Sequence, residues 1–353
     1  TGSFNIGALV DSDAGLSGLV SISQRNFDIA DFPDSPGELF SGRAFRGAGQ
    51  RFNLNANPGT EVQLFSVSLT EPRFLETDYS LSGRAFYRDR DFDEFDEIRF
   101  GGSLNLGRRF GDRWTGSVGL RVESINLQDI EEDRPTDVFL FEDQNLLTGV
   151  SGSLVRTTLD NRLIPTRGAR VSFSAEQVGA LGGDFDFTKL GAQHAVYIPV
   201  YEDYLGRKTV LSFETRANYI PQDRDDVPVY ERFYLGGRNF RGFEFRTISP
   251  KGVRNDTGEP SDDPVGGTWL FFHGIQLSVP IVEDVFRVVG FLDTGTVTFD
   301  PGFDDYRVSA GVGLRILIPQ LSPAPLAFDF GFPVVDQPGD ERRLFSFSID
   351  LPF

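Results

Sequence analysis

Residues 211–219 read LSFETRANY, in which Leu, Phe, Thr, Ala and Tyr alternate with Ser, Glu, Arg and Asn. Successive side chains of a β-strand point to opposite faces, so this stretch predicts a strand with one mainly apolar and one hydrophilic face. Residues 170–176 and 308–316 alternate in the same way. About sixteen such segments can be counted between residues 3–10 and 344–353, and nothing between them reads as a helix. The pattern predicts one continuous antiparallel sheet.

The composition supports an all-β chain. Its 353 residues include 39 Gly, 20 Pro and 35 Phe but no Met, a poor composition for helices. No apolar run approaches the roughly 18 residues of a membrane-spanning helix. The chain has no Cys, which excludes disulfides, thiolate metal sites and cysteine nucleophiles.

The charge and the histidines exclude further classes of function. A net charge of −18 argues against nucleic acid as a partner, because such binding depends on Lys and Arg meeting phosphate. His194 and His273 are isolated, so no zinc site is predicted. The acidic stretches 89–97 and 129–137 lack the spacing of a calcium loop and are interpreted as solvated loop tips. We therefore expect no metal and no cofactor.

Two architectures can use such a sheet. A soluble sandwich turns its apolar faces inward, whereas a transmembrane barrel turns them towards lipid and encloses the polar faces. Three observations favour the barrel: polar faces rich in Arg, Glu and Gly, a strand number near sixteen, and connections that alternate in length. Short connections lie at 71–78 and 165–168, and long acidic ones at 129–145 and 246–268.

The chain end, LFSFSIDLPF, points the same way. Its large apolar residues all fall on one face of the predicted strand: Phe345, Phe347, Ile349, Leu351 and Phe353. A last strand that ends on an aromatic residue resembles the recognition signal of bacterial outer-membrane barrels. Pro352 cannot donate a ladder hydrogen bond, so incomplete pairing is expected there.

Residues 233–247, FYLGGRNFRGFEFRT, resemble a signature of the BamA-like superfamily of outer-membrane insertases and two-partner-secretion transporters. In that family a long surface loop carrying an Arg-Gly-Phe/Tyr motif folds back into the barrel lumen. The second signature, Phe-x-Asp-x-Gly, matches residues 291–295. Residues 2–26, 156–171 and the last strand also resemble the barrel domain of BamA proteins. The resemblance spans essentially the whole chain and implies one barrel domain, 1–353, without the family's soluble periplasmic repeats.

The resemblance implies that the loop motif is held by the barrel wall. A confined Arg is stabilised by a bidentate pair with a carboxylate, so Asp293 is expected to bind Arg241. One position departs from the family, because Gln276 stands where a lumen-facing Glu is usual. The predicted latch comprises Phe240, Arg241, Gly242, Phe243, Gln276, Asp293 and Gly295.

The resemblance also implies a function. Insertases of this family open a seam between the first and last strands, and the exposed backbone there templates a strand of an unfolded outer-membrane β-barrel client. The predicted seam residues are Phe4, Ile6, Phe345, Phe347, Ile349 and Phe353. Outer-membrane lipids and periplasmic or lipoprotein accessory subunits are expected partners, in a Gram-negative-type outer membrane.

Three other readings stay open at this point. A two-partner-secretion transporter would share the loop but pass an unfolded polypeptide through the lumen. A plain porin would leave the Arg-Gly-Phe motif unexplained. An enzyme is not expected, because no Gly-x-Ser-x-Gly, phosphate-binding loop or His cluster occurs.

Overall fold

The structure, a computed structural model, describes residues 2–35, 38, 44–282, 285–318 and 325–349. A sixteen-stranded antiparallel sheet dominates it, and consecutive sheet strands pair as neighbours from the first strand to the last. Its strands are β1 (Gly2–Asp11), β2 (Gly15–Phe27), β3 (Gln50–Asn57), β4 (Val62–Glu71), β5 (Tyr79–Asp91), β6 (Asp96–Phe110), β7 (Trp114–Gln128), β8 (Asn145–Thr157), β9 (Gly168–Val178), β10 (Phe187–Glu202), β11 (Lys208–Tyr219), β15 (Trp269–Val282), β16 (Phe286–Thr298), β17 (Arg307–Ile316), β18 (Leu326–Val335) and β20 (Phe345–Ile349). The predicted all-β sheet and its strand number are confirmed.

Smaller elements occupy the connections. Two short ladders form there, from strands β12 (Gly242–Phe243), β13 (Lys251–Val253), β14 (Pro260–Pro264) and β19 (Arg342–Arg343). The prediction of no helix is wrong in detail, because a four-residue helix, α1 (Thr136–Phe139), lies between β7 and β8. Short 3₁₀ turns span 74–76, 224–226, 229–231 and 237–239. Val138 of α1 is buried against the long loop described below, so tertiary packing supports a helix too short to form alone. Among the described residues, no helix has the length and apolar character to cross a membrane.

The two faces of the sheet differ as predicted for a barrel. On β17, Ser309 and Arg315 are buried on the inner face, whereas Val312 on the outer face is exposed. On β6 and β7, Leu104 and Val118 are likewise exposed outward. An apolar exterior around a polar interior is the pattern of an outer-membrane barrel.

The connections fall at two ends. Because the strands are antiparallel, alternate connections share one end, which we call the loop end: 12–14, 58–61, 92–95, 129–144, 179–186, 220–268, 299–306 and 336–344. The opposite end, the turn end, holds the connections 72–78, 111–113, 158–167 and 203–207, together with the described parts of the connections that follow β2, β15 and β17. The two long predicted loops lie at the loop end and both quoted short turns at the turn end, as expected. The connection between β2 and β3 is an exception, because it is long although it belongs to the turn end.

The first and last strands are the edges of the sheet. β1 pairs with β2 along its whole length, from Gly2–Gln24 to Asp11–Gly15, and β20 pairs with β18 from Leu326–Ile349 to Phe330–Phe345. Between β1 and β20 the described residues form no ladder. Residues 350–353, which include Phe353 of the predicted seam, lie outside the described part of the chain.

Candidate functional site

The loop 220–268 folds into the barrel interior and builds its own apolar core. Phe240 and Phe243 are 0% exposed, and their rings meet edge to face with centroids 5.3 Å apart. Phe240 also contacts Phe272 of β15 at 5.8 Å. The complete cluster consists of Leu235, Phe240, Phe243, Ile248, Leu270, Phe272 and Val297. The predicted wedge of two aromatic residues is therefore packed between the loop and the wall formed by β15 and β16.

Arg241 lies beside this cluster and binds the wall. Its Nε and Nη2 donate to the two carboxylate oxygens of Asp293 at 2.8 and 2.7 Å, and its backbone N–H donates to the same carboxylate at 3.2 Å. Nη1 donates to Gln276 Oε1 at 2.8 Å, and the guanidinium lies 3.6 Å from the ring centroid of Phe291. The side chains of Arg241 and Asp293 are 13% and 2% exposed, so the pair is largely shielded from water. This geometry is the bidentate pairing expected from the sequence.

Gly242 lets the loop backbone approach β17 and β18. Its φ of +96° is a conformation that other residues rarely adopt, and a Cβ there would lie 2.5 Å from Ser309 Oγ. Facing it, a Cβ on Gly331 would lie 2.5 Å from the Gly242 nitrogen. Gly295 is also packed against backbone, because a Cβ there would collide with the carbonyl oxygen of Phe271. Glycine at these positions is therefore a steric requirement of the latch.

A second contact holds the loop to the opposite wall, and sequence reasoning missed it. Glu231 accepts from Arg99 of β6 at 2.9 Å, from Arg121 of β7 at 3.1 Å and from Lys189 of β10 at 2.9 Å. Burial alone would raise the pKa of the Glu231 carboxyl, but Lys189, Arg99 and Arg121 hold it well below its usual range. In sheet order β6 and β7 are sixth and seventh and β16, which carries Asp293, is thirteenth, so the loop is bound on both sides of the lumen.

Two further ion pairs join the loop to its neighbours. Arg232 donates to Asp137 of α1 at 2.7 Å, and Arg246 reaches Glu94 at 3.4 Å while stacking 4.0 Å from the ring centroid of Tyr234. The sequence offers one signal for these contacts, because the charged residues Glu231 and Arg232 stand between the aromatic residues Tyr230 and Phe233. The carboxylate partners of Arg232 and Arg246 are 95 and 152 residues away in sequence, so no local pattern identifies them.

The same loop contacts both sides of the seam at the loop end. The Arg238 N–H donates to Asp13 Oδ2, in the turn after β1, at 2.9 Å, and the Arg343 guanidinium also binds Asp13. β12 pairs with β19, which precedes β20. The loop therefore joins the first hairpin to the chain entering the last strand.

In the described residues, the two sides of the seam meet over a short stretch at the loop end. The Ser12 N–H donates to the Phe347 carbonyl at 2.9 Å, and the Phe347 N–H donates to Ser12 Oγ at 2.8 Å. This places the middle of β20 opposite the tip of the first hairpin instead of opposite the middle of β1. Phe4 and Ile6 are 62% and 72% exposed on β1, and Phe345 is exposed on β20. The predicted pairing of residues 3–10 with 344–353 is therefore not observed in the described part.

Comparison with known proteins agrees with this geometry. Residues 44–353 match the family model described as the Omp85 superfamily domain. The outer membrane protein assembly factor BamA of Nitratidesulfovibrio vulgaris is 27% identical over 86% of the chain, and that of Neorickettsia risticii is 25% identical over 100%. The structure of BamA from Haemophilus ducreyi lacking POTRA domains 1–3 superimposes with a TM-score of 0.81 over 98% of the chain, at 24% identity.

The match covers only part of those proteins. The chain spans 38% and 45% of the two curated relatives and 69% of the solved structure. The family model, however, covers most of this chain, and the BamA structure shares its fold. The chain belongs to the Omp85 superfamily and is a BamA-like, integral β-barrel of the bacterial outer membrane.

Proposed function

We propose that this barrel inserts and folds client outer-membrane β-barrels through the seam between β1 and β20. The printed names of the relatives, outer membrane protein assembly factors, support this class of activity. The proposed partners are unfolded β-barrel clients, outer-membrane lipids, and periplasmic or lipoprotein accessory subunits. The chemistry is hydrogen bonding, and no catalytic step is required.

The observation that carries the proposal is the edge of β1. In the described residues its backbone pairs with β2 on one side and forms no ladder with β20 on the other. Unpaired backbone N–H and C=O groups cost several kcal/mol each in hydrocarbon, so such an edge favours a new strand. Strand addition at a sheet edge is a general mode of peptide recognition.

The loop contacts both sides of the seam, so its position controls whether the seam opens. It binds Asp13 on one side of the seam through the Arg238 N–H and the β12–β19 ladder on the other side. The latch pair Arg241–Asp293 holds this segment of the loop against the wall. Movement of the loop would therefore release both sides of the seam together.

A cross-link across the seam tests the proposal. The Ser12–Phe347 contact sets Asp11 opposite Ser348, so Asp11→Cys with Ser348→Cys places two thiols across the seam in a chain that has no other cysteine. The protein is oxidised in native membranes, and assembly of the host's other barrels is followed by their resistance to unfolding in gels. Oxidation is expected to stop client assembly, and reduction is expected to restore it.

The matched control is Asn5→Cys with Ser21→Cys, which joins directly paired residues of β1 and β2 and leaves the seam free. Its disulfide should leave client assembly unchanged. If the seam-locked protein assembles clients at the normal rate, insertion through the seam is wrong.

Transport of a polypeptide through the lumen stays a prediction. It requires the loop to leave both walls, because in the structure the loop is bound to β16 by Arg241 and to β6, β7 and β10 by Glu231. Export that continues in the seam-locked protein would favour this alternative.

A further inference from the structure

A shallow apolar groove crosses the outer face of the barrel towards the turn end. It lies over β5 to β9, far around the sheet from the seam, and has a volume of about 560 Å³. Gly152 forms an open part of its floor, since nothing lies within 4 Å of a Cβ there, and the Phe110 ring packs over Gly116 beside it. Its walls are made by exposed apolar side chains: Leu106, Val118, Leu154 and Phe173.

Two arginines stand beside the groove at the turn end. Arg108 lines the groove, donates to the Tyr79 hydroxyl at 3.3 Å and forms a long ion pair of 3.7 Å with the exposed Asp78. Arg156 lies 6.0 Å from the ring centroid of Trp114, and no carboxylate of the described residues pairs with it. The Nε of Arg108 is buried without a hydrogen-bond partner in the described structure. Cationic groups with spare donors therefore sit next to an apolar channel, on a chain of net charge −18.

This combination matches the two halves of a lipid. An acyl chain fits a groove floored by glycine, and an anionic headgroup is attracted to arginines at the level of the membrane interface, where aromatic residues also concentrate. We propose that the groove binds one anionic glycerophospholipid, with its phosphate at Arg108 and Arg156 and an acyl chain over Gly152. The proposal does not depend on insertase activity, because it requires only a barrel in a membrane.

The two tryptophans of the chain allow a direct test. Trp114 begins β7 at the turn end and pairs with Arg156 across the sheet, whereas Trp269 begins β15 at the loop end. The protein is reconstituted in phosphatidylcholine vesicles, and either phosphatidylglycerol or phosphatidylcholine with brominated acyl chains is added at equal mole fraction. Bromine quenches tryptophan fluorescence on contact. Trp269→Phe reports Trp114 alone, and Trp114→Phe reports Trp269 alone.

Selective binding is expected to appear at Trp114 only. Brominated phosphatidylglycerol should be favoured there over brominated phosphatidylcholine by about threefold to fivefold, since an arginine at a membrane surface contributes on the order of 1 kcal/mol to anionic-lipid binding. The preference should fall at high salt because charges at the interface are screened. At Trp269 the ratio should be near one.

Matched variants separate the groove from general lipid contact. Gly152→Leu fills the floor without a clash, because nothing lies within 4 Å of a Cβ there, and Arg156→Gln removes the unpaired charge. Each should abolish the preference at Trp114. Gly290→Leu makes the same change at another open glycine, on β16, and should retain it. Equal quenching by the two lipids in the unmodified groove, or a preference that survives both groove variants, would overturn the proposal.

Discussion

Arg241 shows how one side chain can hold a long loop. Its guanidinium donates to Asp293 on β16 and to Gln276 on β15 while its face lies on Phe291. A planar group with several donors and a flat face suits such a site, and Lys would not replace it. Gln276, which departs from the usual Glu, still supplies the acceptor oxygen. The hydrogen-bond acceptors of the Arg241 guanidinium in this latch therefore include the carboxylate of Asp293 and the amide oxygen of Gln276.

Breaking this pair is expected to be costly. Asp293→Asn should lower the free energy of unfolding by about 3 kcal/mol, because it leaves a buried guanidinium without its counter-charge. Asp293→Arg should destabilise the loop further, and Arg241→Asp in the same protein should restore part of the loss. Denaturant titration of the barrel in lipid vesicles measures each variant.

The pair Arg342–Asp336 is the control, since its side chains are 57% and 33% exposed. Asp336→Asn should change stability by less than about 1 kcal/mol, as is usual for surface ion pairs. A charge swap between residues 241 and 293 that rescues nothing would contradict direct pairing.

At the scale of the element, the loop 220–268 is held at two separate places. Arg241 binds β15 and β16, whereas Glu231 binds β6 and β7 on the other side of the lumen and also β10, which lies between them in the sheet. Ten residues separate the two contacts in sequence, which is long enough for a chain segment to bridge the interior. We therefore expect that one contact can open while the other stays closed.

Glu231→Gln tests this independence. The substitution keeps the shape of the side chain but leaves Arg99, Arg121 and Lys189 close together without the shared carboxylate. Backbone amides of residues 229–235 are expected to exchange with solvent faster, whereas those of residues 240–243 should keep their protection. Hydrogen exchange followed by mass spectrometry resolves the two segments.

Glu259→Gln, at an exposed position of the same loop, should change neither segment. Equal loss of protection at residues 240–243 in the Glu231 variant would mean that the two contacts act as one unit.

At the scale of the whole molecule, the strands of the barrel differ in how many backbone and side-chain contacts hold them. β6 and β7 pair over fifteen residues each and carry Arg99 and Arg121, which bind the loop. The described part of β20 has five residues, paired only with β18 and in contact with the tip of the first hairpin. Local opening is easiest where few backbone hydrogen bonds and packed side chains must be broken.

We expect hydrogen exchange to follow this asymmetry around the barrel. Amides of β6 and β7 should exchange at least about tenfold more slowly than those of β20, since they belong to longer ladders with more packed neighbours. The measurement needs only the unmodified protein in vesicles and peptides that cover both regions. Uniform protection around the sheet would argue that the seam is as firm as the other strand pairs.

The sequence by itself determined the strands, their two faces and the latch. Alternation with a period of two is a local property of the chain, and the motif around Arg241 together with Asp293 is short enough to be recognised directly. The positions of β11, β17 and the Arg241–Asp293 pair were therefore accessible without coordinates.

Only the tertiary structure decided the second anchor, the register of the seam and the outer groove. Glu231 meets Arg99 across 132 residues, and Ser12 meets Phe347 across 335. Such contacts depend on how the strands stagger as the sheet curves into a barrel, which is a property of the whole sheet. The groove likewise arises where glycines of neighbouring strands come together. The alternation of residues along a single strand does not predict which residues of neighbouring strands lie side by side.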